Sequence, residues 1–558
     1  MVKIFSKILI FLFFSIVSFI GYFSLIGFET KSFNKQIKDN LKKIDTNLDV
    51  KLNDVKIVLD LFNLNINAKT LGPSISYNKK ILDIELIKSD ISLFNLINEE
   101  FSLSNLFIST KSVKLKDVVA FYRAINKNKK TELFILENFI RKGYLIADIS
   151  LNFDDQGKIK DDLKINGLVR DSSFNLLNKK RIDNINFIFA IENKDLDIND
   201  LRFSYETINF NSKKVEIRNK DNFINIEGEI DNNEVDLSKK ILVDLFNPFL
   251  NLDFINFKFS SKNKFLFKVN EKFEVSYYEI KSSLNINELS IKNNFKLKNI
   301  FPNSQSEIKF KNHQAEIIFK KDNFLINGNG EFLIQKNYNK INYKIEKKID
   351  NHLFDLNFNF INNPINLDFL NYKLDDKSKA NLKLNGKFFK DKTLNFEKIK
   401  FKSGSDLITI SNLKLLDDFK ISNMKSANFN FTDSQDIKNI FQINDNDGNF
   451  IISGKVFNAN KLIEDLIFKD SQNNDIFDKD LVLSLKLKEV YLHENHAVYD
   501  LAGNLKFIEN SLINANINGQ FNENERVTFT IISNNDQKVT TLFSDQAKPF
   551  VKKFDFIK

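Results

Sequence analysis

Cysteine is absent from all 558 residues. No disulfide can hold the chain and no thiolate can ligate a metal in it. Proline occurs at five positions (Pro73, Pro248, Pro302, Pro364, Pro549), glycine is scarce, and no Pro/Gly/Ser-rich stretch divides the sequence. That thin punctuation excludes compact beads on flexible linkers and predicts one continuous architecture. Stability must come from burial alone, and the 59 phenylalanines can supply it.

The residues that chemistry requires are equally sparse. The four histidines are His313, His352, His493 and His496. His493-Glu-Asn-His496 has a spacing found in some zinc sites. It also joins two strand-like runs, Lys488–Leu492 and Ala497–Leu501, and therefore reads as a hairpin turn. Asp445-Asn-Asp-Gly-Asn449 lacks the oxygen ligand and the distal glutamate of a calcium loop, with Ile443 and Gly454 at those places, and also reads as a turn. Gly328 and Gly330 form a lone G-x-G without Lys-Ser/Thr or a βαβ context. Ser403-Gly-Ser405 lacks the second glycine of a nucleophile elbow. The sequence predicts no enzyme, no catalytic residue, no metal site and no cofactor. The formal charge of +9 comes from 82 basic residues interleaved with 73 acidic ones. Without clustering, it does not predict a nucleic-acid partner.

What is present begins at the N-terminus. Ile8–Phe28 carries no charge and, as a helix, would reach about 31 Å, enough to cross the hydrocarbon core of a bilayer. Lys3 and Lys7 precede it and Glu29 follows. The positive-inside rule then leaves residues 1–7 in the cytoplasm and exports the rest. A cleaved signal peptide is the competing reading, but the stretch is long for one and no small-x-small site follows.

Phe33, Ile37, Leu41, Ile44 and Leu48 recur at helical spacing, so residues 29–48 read as an amphipathic helix. It could lie on the outer leaflet or plug the end of a sheet. From about Leu52 the period becomes two. Leu61, Leu64, Ile66 and Ala68 read as a strand with a slip near Phe62. Phe354, Leu356, Phe358 and Phe360, then Leu382, Leu384, Gly386 and Phe388, then Leu483, Leu485 and Leu487, alternate with polar residues. Each such strand has one apolar and one polar face. Short helices interrupt at Ser92–Ile97, Val118–Ala124, Leu133–Arg141, Ile241–Leu250 and Ala459–Phe468. An apolar-x-Gly-x-apolar pattern recurs around Gly167, Gly228, Gly386, Gly454, Gly503 and Gly519. Glycine takes the apolar-face position each time, which weakens a strand unless something approaches closely or the sheet bends.

An N-terminal anchor, an amphipathic helix, a first strand Asp60–Ile66, and the strand–helix–strand return of Ser89–Ile108 together resemble AsmA-like envelope proteins. Ile452–Ala459, a short helix at Leu462–Ile467, Leu483–Val490, Tyr499–Leu505 and Thr541–Val551 are similar to the C-terminal module on the YhdP and TamB side of that superfamily. The resemblance implies lipid movement or homeostasis between the inner and outer membranes of a bacterial envelope.

The expected architecture is mainly β. A transmembrane anchor at 8–28 and a helix at 29–48 precede an elongated, curled antiparallel sheet at 49–448, which forms an apolar groove in the periplasm. Residues 449–558 form the C-terminal module, expected to be truncated or completed by a partner. About thirty strands at a spacing near 4.8 Å would extend roughly 140 Å. Phe354, Leu356, Phe358, Leu382, Leu384, Phe388, Leu483 and Leu485 are the candidate groove residues. The expected partners are phospholipid, the inner membrane, and a periplasmic or outer-membrane protein at the C-terminal end. An assembly factor for outer-membrane proteins, or a surface scaffold without a lipid path, stays open as an alternative.

Overall fold

The computed structural model describes residues 2–550 except 33, 45, 79, 99–101, 127–129, 155, 176–179, 221–222, 238, 240, 242–252, 271–273, 295–296, 322, 418, 462–479, 494–495, 509–510, 535–536 and 549. As the alternation predicts, the chain is mainly β, built of curled and overwhelmingly antiparallel sheet with few helices. It divides into two compact units, residues 1–235 with 261–280 and residues 236–260 with 281–558.

In the first unit, helix α1 (Val2–Leu25) contains Ile4–Leu25, long and apolar enough to cross a membrane. Its mean hydropathy is 2.4 and none of it is buried in the protein. The helix stops because Gly27 turns left-handed (φ +72°), while the Ile26 and Gly27 amides both donate to the Tyr22 carbonyl at 2.9 and 3.1 Å. A Cβ at Gly27 would sit 2.2 Å from the Ile57 carbonyl oxygen, so glycine alone fits. The strand Phe28–Thr30 then pairs with Val55–Asp60, Phe28 opposite Ile57.

The helical spans read from the sequence are therefore too long at this junction. Phe28 and Glu29 lie in a strand, α2 covers only Asn34–Ile44, and Leu48 begins the strand Leu48–Lys51, opposite Tyr77. Ladder hydrogen bonds claim these flanks over the helical period. The Asn34 amide donates to the Leu52 and Asn53 carbonyls, and Lys38 pairs with Asp49 at 3.1 Å, tying α2 to the sheet.

A second correction concerns Asp60–Ile66, read as one strand. It is a hairpin between Val55–Asp60 and Asn65–Leu71. The Asp60 carboxylate accepts from the amides of Phe62 and Asn63 at 3.0 and 3.1 Å, and Leu64 adopts φ +51°. A side chain that caps its own turn defeats the periodic reading. Helix α3 (Leu93–Ile97), capped by Ser92, and the strands around it fall where expected. Helices α4 (Leu115–Ile125) and α5 (Lys130–Phe139) contain or overlap the two spans read from periodicity, and Arg123–Glu137 joins them at 2.8 Å. Most of Ile241–Leu250 and Ala459–Phe468 lies outside the described residues.

In the second unit the strands pair in serial order. The short pair Ile365–Leu367 and Tyr372–Leu374 folds against the ends of the main strands, burying Tyr372 and Phe431 with Phe332, Phe360, Phe401 and Phe429. Asn449–Asn458 and Leu481–His493 form a parallel pair, an exception to the expected antiparallel order. A parallel neighbour needs a crossover of a dozen or more residues, and residues 459–480 provide that length.

Candidate functional site: a continuous apolar ladder

Strand register brings the candidate groove residues into rows. Within the second unit, consecutive partners run Ala315, Gly328, Tyr343, Leu356, Leu384, Ile399, Ile410, Ala427, Ile443, Ile452, Leu485, Gly503, Ile517, Phe529 and Leu542. Every rung is apolar, aromatic or glycine. At about 4.8 Å per strand the row reaches on the order of 65 Å. A parallel row runs Phe358, Leu382, Phe401, Ile408, Phe429, Phe441, Gly454, Leu487 and Leu501. The first unit has its own ladder through Val55, Thr70, Ile87, Ile108, Ile149, Ile165, Ile191, Leu196, Ile217 and Ile226.

Of the eight candidates, Leu356, Leu384 and Leu485 stand in the long row, and Phe358 and Leu382 in the second. Phe354 faces Gly386, Phe388 faces His352, and Leu483 lies between Phe450 and Leu505. Residues such as Tyr343, Ile399, Ile443, Ile452 and Ile517 belong equally to the long row. Their alternation marked a face, but only the pairing register, invisible in one strand, assigns the row.

Exposure of the apolar side chains rises along the strand Lys379–Phe389. Ala380 is 5% exposed, Leu382 and Leu384 are half-buried, and Phe388 is 41% exposed. The buried end lies beside the short pair Ile365–Leu367 and Tyr372–Leu374; the turns at the other end carry exposed Ile349 and Phe419. The first rim is sealed there; the second is open at Ile349 and Phe419 and closed farther along, where Phe450 and Leu481 are 2% and 3% exposed. Among the described residues of this unit, no second sheet beyond that short pair covers the apolar face.

The recurring glycines have a physical cause in this ladder. An added Cβ would meet the Tyr343 ring at Gly328 (2.3 Å), the Phe189 ring at Gly167 (2.4 Å) and the Phe265 ring at Gly228 (2.9 Å). Neighbouring rings lie across the glycines and fill the missing side-chain volume. At Gly386, Gly454 and Gly503 the obstacle is a backbone carbonyl, 2.1–2.5 Å away. The first two sit at register shifts, where bulging sharpens the bend of the sheet.

Few polar groups reach the ladder: Thr70 is a buried rung in the first unit, and in the second the buried His313 ring lies 6.0 Å from the Tyr343 ring. A depression of about 440 Å³ lies among polar residues that alternate with the rungs, Glu316, Asn327, Lys344 and Asp355, and also borders Gly328 and Tyr343. His313 is buried, with Nε2 3.0 Å from the Glu331 carbonyl, and burial holds its imidazole below the usual range. His493 lies opposite His496 and closes a hairpin. Asp447 and Gly448, at φ +50° and +85°, turn the chain between Asn446 and Asn449, with the Asp445 carboxylate accepting from the Gly448 amide. Among the described residues no group of three or more His, Asp or Glu could hold a metal ion.

Comparison of the chain with protein-family models, curated proteins and solved structures finds no match. The described residues define a class: a curled-sheet protein with an apolar ladder in each unit and an N-terminal helix long and apolar enough to span a bilayer.

Proposed function

We propose that this is an AsmA-like protein anchored in the bacterial inner membrane by α1, which moves or shields phospholipid between inner and outer membranes along its apolar ladder. The observation that carries the reading is the unbroken long row of apolar rungs, most of them half-buried and, among the described residues, without a second sheet over them. A soluble sandwich hides such a face under a second layer. An acyl chain laid along the row would gain about 0.8 kcal/mol for each methylene taken out of water. Because the rungs are chemically alike, sliding from one to the next exchanges equivalent contacts and needs no bound nucleotide or metal. The phosphate headgroup stays in water at the open rim.

A photo-crosslinking residue tests this directly. Placed at Leu384 or Leu485 in cells, it should capture phospholipid; at the exposed Lys383 or Lys486 it should not. Equal labelling on both faces, or none on either, refutes the lipid path. One observation favours the scaffold alternative. The strand Gln537–Ser544 is exposed along nearly its whole length and pairs with Glu525–Asn534 alone among the described strands, an edge suited to strand addition by a partner. Protein adducts at Val539 with no lipid at Leu384 would support that reading instead.

A further inference from the structure

Two turns of the first unit leave large apolar side chains in solvent beside the end of α1. In the hairpin after Val55–Asp60, Phe62 is 101% exposed, and Leu61 and Leu64 are exposed with it. In α3, Phe94, Leu96 and Ile97 are 68%, 48% and 79% exposed. The two are in contact: the Leu93 amide donates to the Leu64 carbonyl at 2.9 Å. They form one apolar projection on adjacent strand ends, since Asn65 pairs with Ser92.

Neither turn needs these residues for its own geometry. The hairpin is held by Asp60 and α3 by its Ser92 cap, and no residue of α3 is buried. Side chains that build no core and lie together in water cost free energy unless something covers them. Farther along the same rim, past the connection that carries the single exposed Ile159, Asn193 and Lys194 form a polar turn between Arg181–Glu192 and Asp195–Tyr205.

The neighbourhood of α1 names the cover. Phe28 pairs antiparallel with Ile57, so the chain joins the strand beside Val58, on the side of that pair nearer the 61–64 turn. Gly27 touches Ile57 and Val58, and the Phe23 ring packs on Phe28 at 5.2 Å. Leu25, the last residue of α1, and Ile26 after it are exposed, and the chain enters the sheet toward the end that carries the projection. Resting on the reading that α1 spans the bilayer, we propose that Leu61, Phe62, Leu64, Phe94, Leu96 and Ile97 form a lip that inserts into the leaflet where α1 ends. The occupant is the lipid of that leaflet. Apolar side chains on a rigid element seat about 5–10 Å deep, at the boundary of headgroups and acyl chains. A lip there would hold the first strands of the ladder against the leaflet, so that an acyl chain could pass from bilayer to groove without crossing open water.

The absence of cysteine makes the test clean, because each single-cysteine variant of the full chain carries one label. The protein is reconstituted into phosphatidylcholine vesicles with an environment-sensitive fluorophore at residue 13, 62, 97, 134 or 193, and lipid-borne quenchers at shallow or deep positions are added. The proposal expects deep quenching at 13, shallow quenching at 62 and 97 several-fold above that at 193, and no quenching at 134. Phe134 is the informative control, being exposed and apolar but at the opposite end of the strand Ile140–Asn152. Quenching at 13 without quenching at 62 and 97 overturns the lip and leaves the anchor intact. No quenching at 13 overturns the anchor and the lip with it. Label at 62 that is shielded in native membranes but unquenched in the vesicles assigns the projection to a protein partner and also overturns the proposal. Phe62→Asp with Ile97→Asp should abolish quenching of a label at Phe94; because both side chains are solvent-exposed, secondary structure should be unchanged.

Discussion

Gly328→Ala is the sharpest probe of the ladder. Alanine in place of glycine should favour a strand by about 0.5–1 kcal/mol, through the conformational entropy that glycine loses on folding. Against this, the new methyl would lie 2.3 Å from the Tyr343 Cζ and 2.4 Å from its hydroxyl oxygen, well inside contact distance. Displacing a packed ring costs about 1–3 kcal/mol. The clash wins, and the net loss should be about 1 kcal/mol, roughly a five-fold rise in local opening. Two compact units make a single global unfolding transition a poor readout, whereas amide hydrogen exchange of the full chain reads the strands Asn323–Leu333 and Asn339–Lys347 alone. The obstacle is one ring, so the effect must depend on it. In a Tyr343→Val background, Gly328→Ala should be neutral or protective, giving a coupling of about 1–2 kcal/mol between the two sites. Gly386→Ala should behave differently, because there the Asn395 carbonyl oxygen lies 2.3 Å away and no side-chain deletion removes it. If Gly328→Ala protects the strands with Tyr343 present, or exposes them equally without it, the ring does not fill the glycine and the account of the recurring pattern is wrong.

Three further outcomes are expected. A reporter fused after Asn47 should be active only in the periplasm and the chain should keep its N-terminus; a mature N-terminus near Gly27 would replace the anchor by a cleaved leader. Leu384→Asp should block lipid transfer while leaving the chain folded, because Leu384 is only half-buried; at a closed core position the same change leaves an uncompensated buried charge and unfolds the protein, and circular dichroism beside a transfer assay separates the two. His313 is held below the ordinary imidazole value near 6.5 by burial, against the Glu331 carbonyl and carboxylate that favour its charged form. The unfolded ring therefore binds a proton first, so its stabilising contribution is complete above that value and is lost as pH falls below it. Exchange in Glu307–Lys320 should rise on acidification in the native chain and not in His313→Phe; an equal rise in both would clear the histidine.

The mainly β architecture and the apolar face were legible because alternation is a local signal that each strand carries by itself. Phe354–Phe360 and Leu382–Phe388 declared their faces before any partner was known. Three things were not legible, each for a physical reason. The Asp60 turn was hidden because its leucines mimic a strand while a carboxylate caps the chain back on itself. The junction at Gly27 was hidden because its left-handed turn answers a carbonyl on another strand, that of Ile57. The parallel pairing of Asn449–Asn458 with Leu481–His493 was hidden because periodicity gives the face of a strand and not its direction. As for the candidate site, the sequence marked the face while register supplied the row.

Buried asparagines explain why the sealed rim and the open rim differ. Asn339 and Asn439 stand near the starts of Asn339–Lys347 and Lys438–Asn446, which run in the same direction through the serial antiparallel order. Each accepts a backbone amide from a neighbouring segment, Ile361 at 2.9 Å and Asn458 at 2.7 Å. Each also joins a second buried asparagine: Asn363 donates to Asn339 at 3.0 Å, and Asn439 and Asn458 both donate to the Asp433 carboxylate. Buried amides satisfied in this way fix one geometry, since leaving any of them unpaired costs about 1–3 kcal/mol. The two clamps repeat along one rim, the same rim against which Tyr372 and Phe431 are buried. The turns around Ile349 and Phe419 on the other rim are exposed. One edge of the sheet is thus held by buried amide clamps, whereas on the other the turns that carry Asp350 and Lys390 are joined in solvent by an ion pair at 3.4 Å. In the proposed reading, the acyl chain enters and leaves at the edge without these buried clamps.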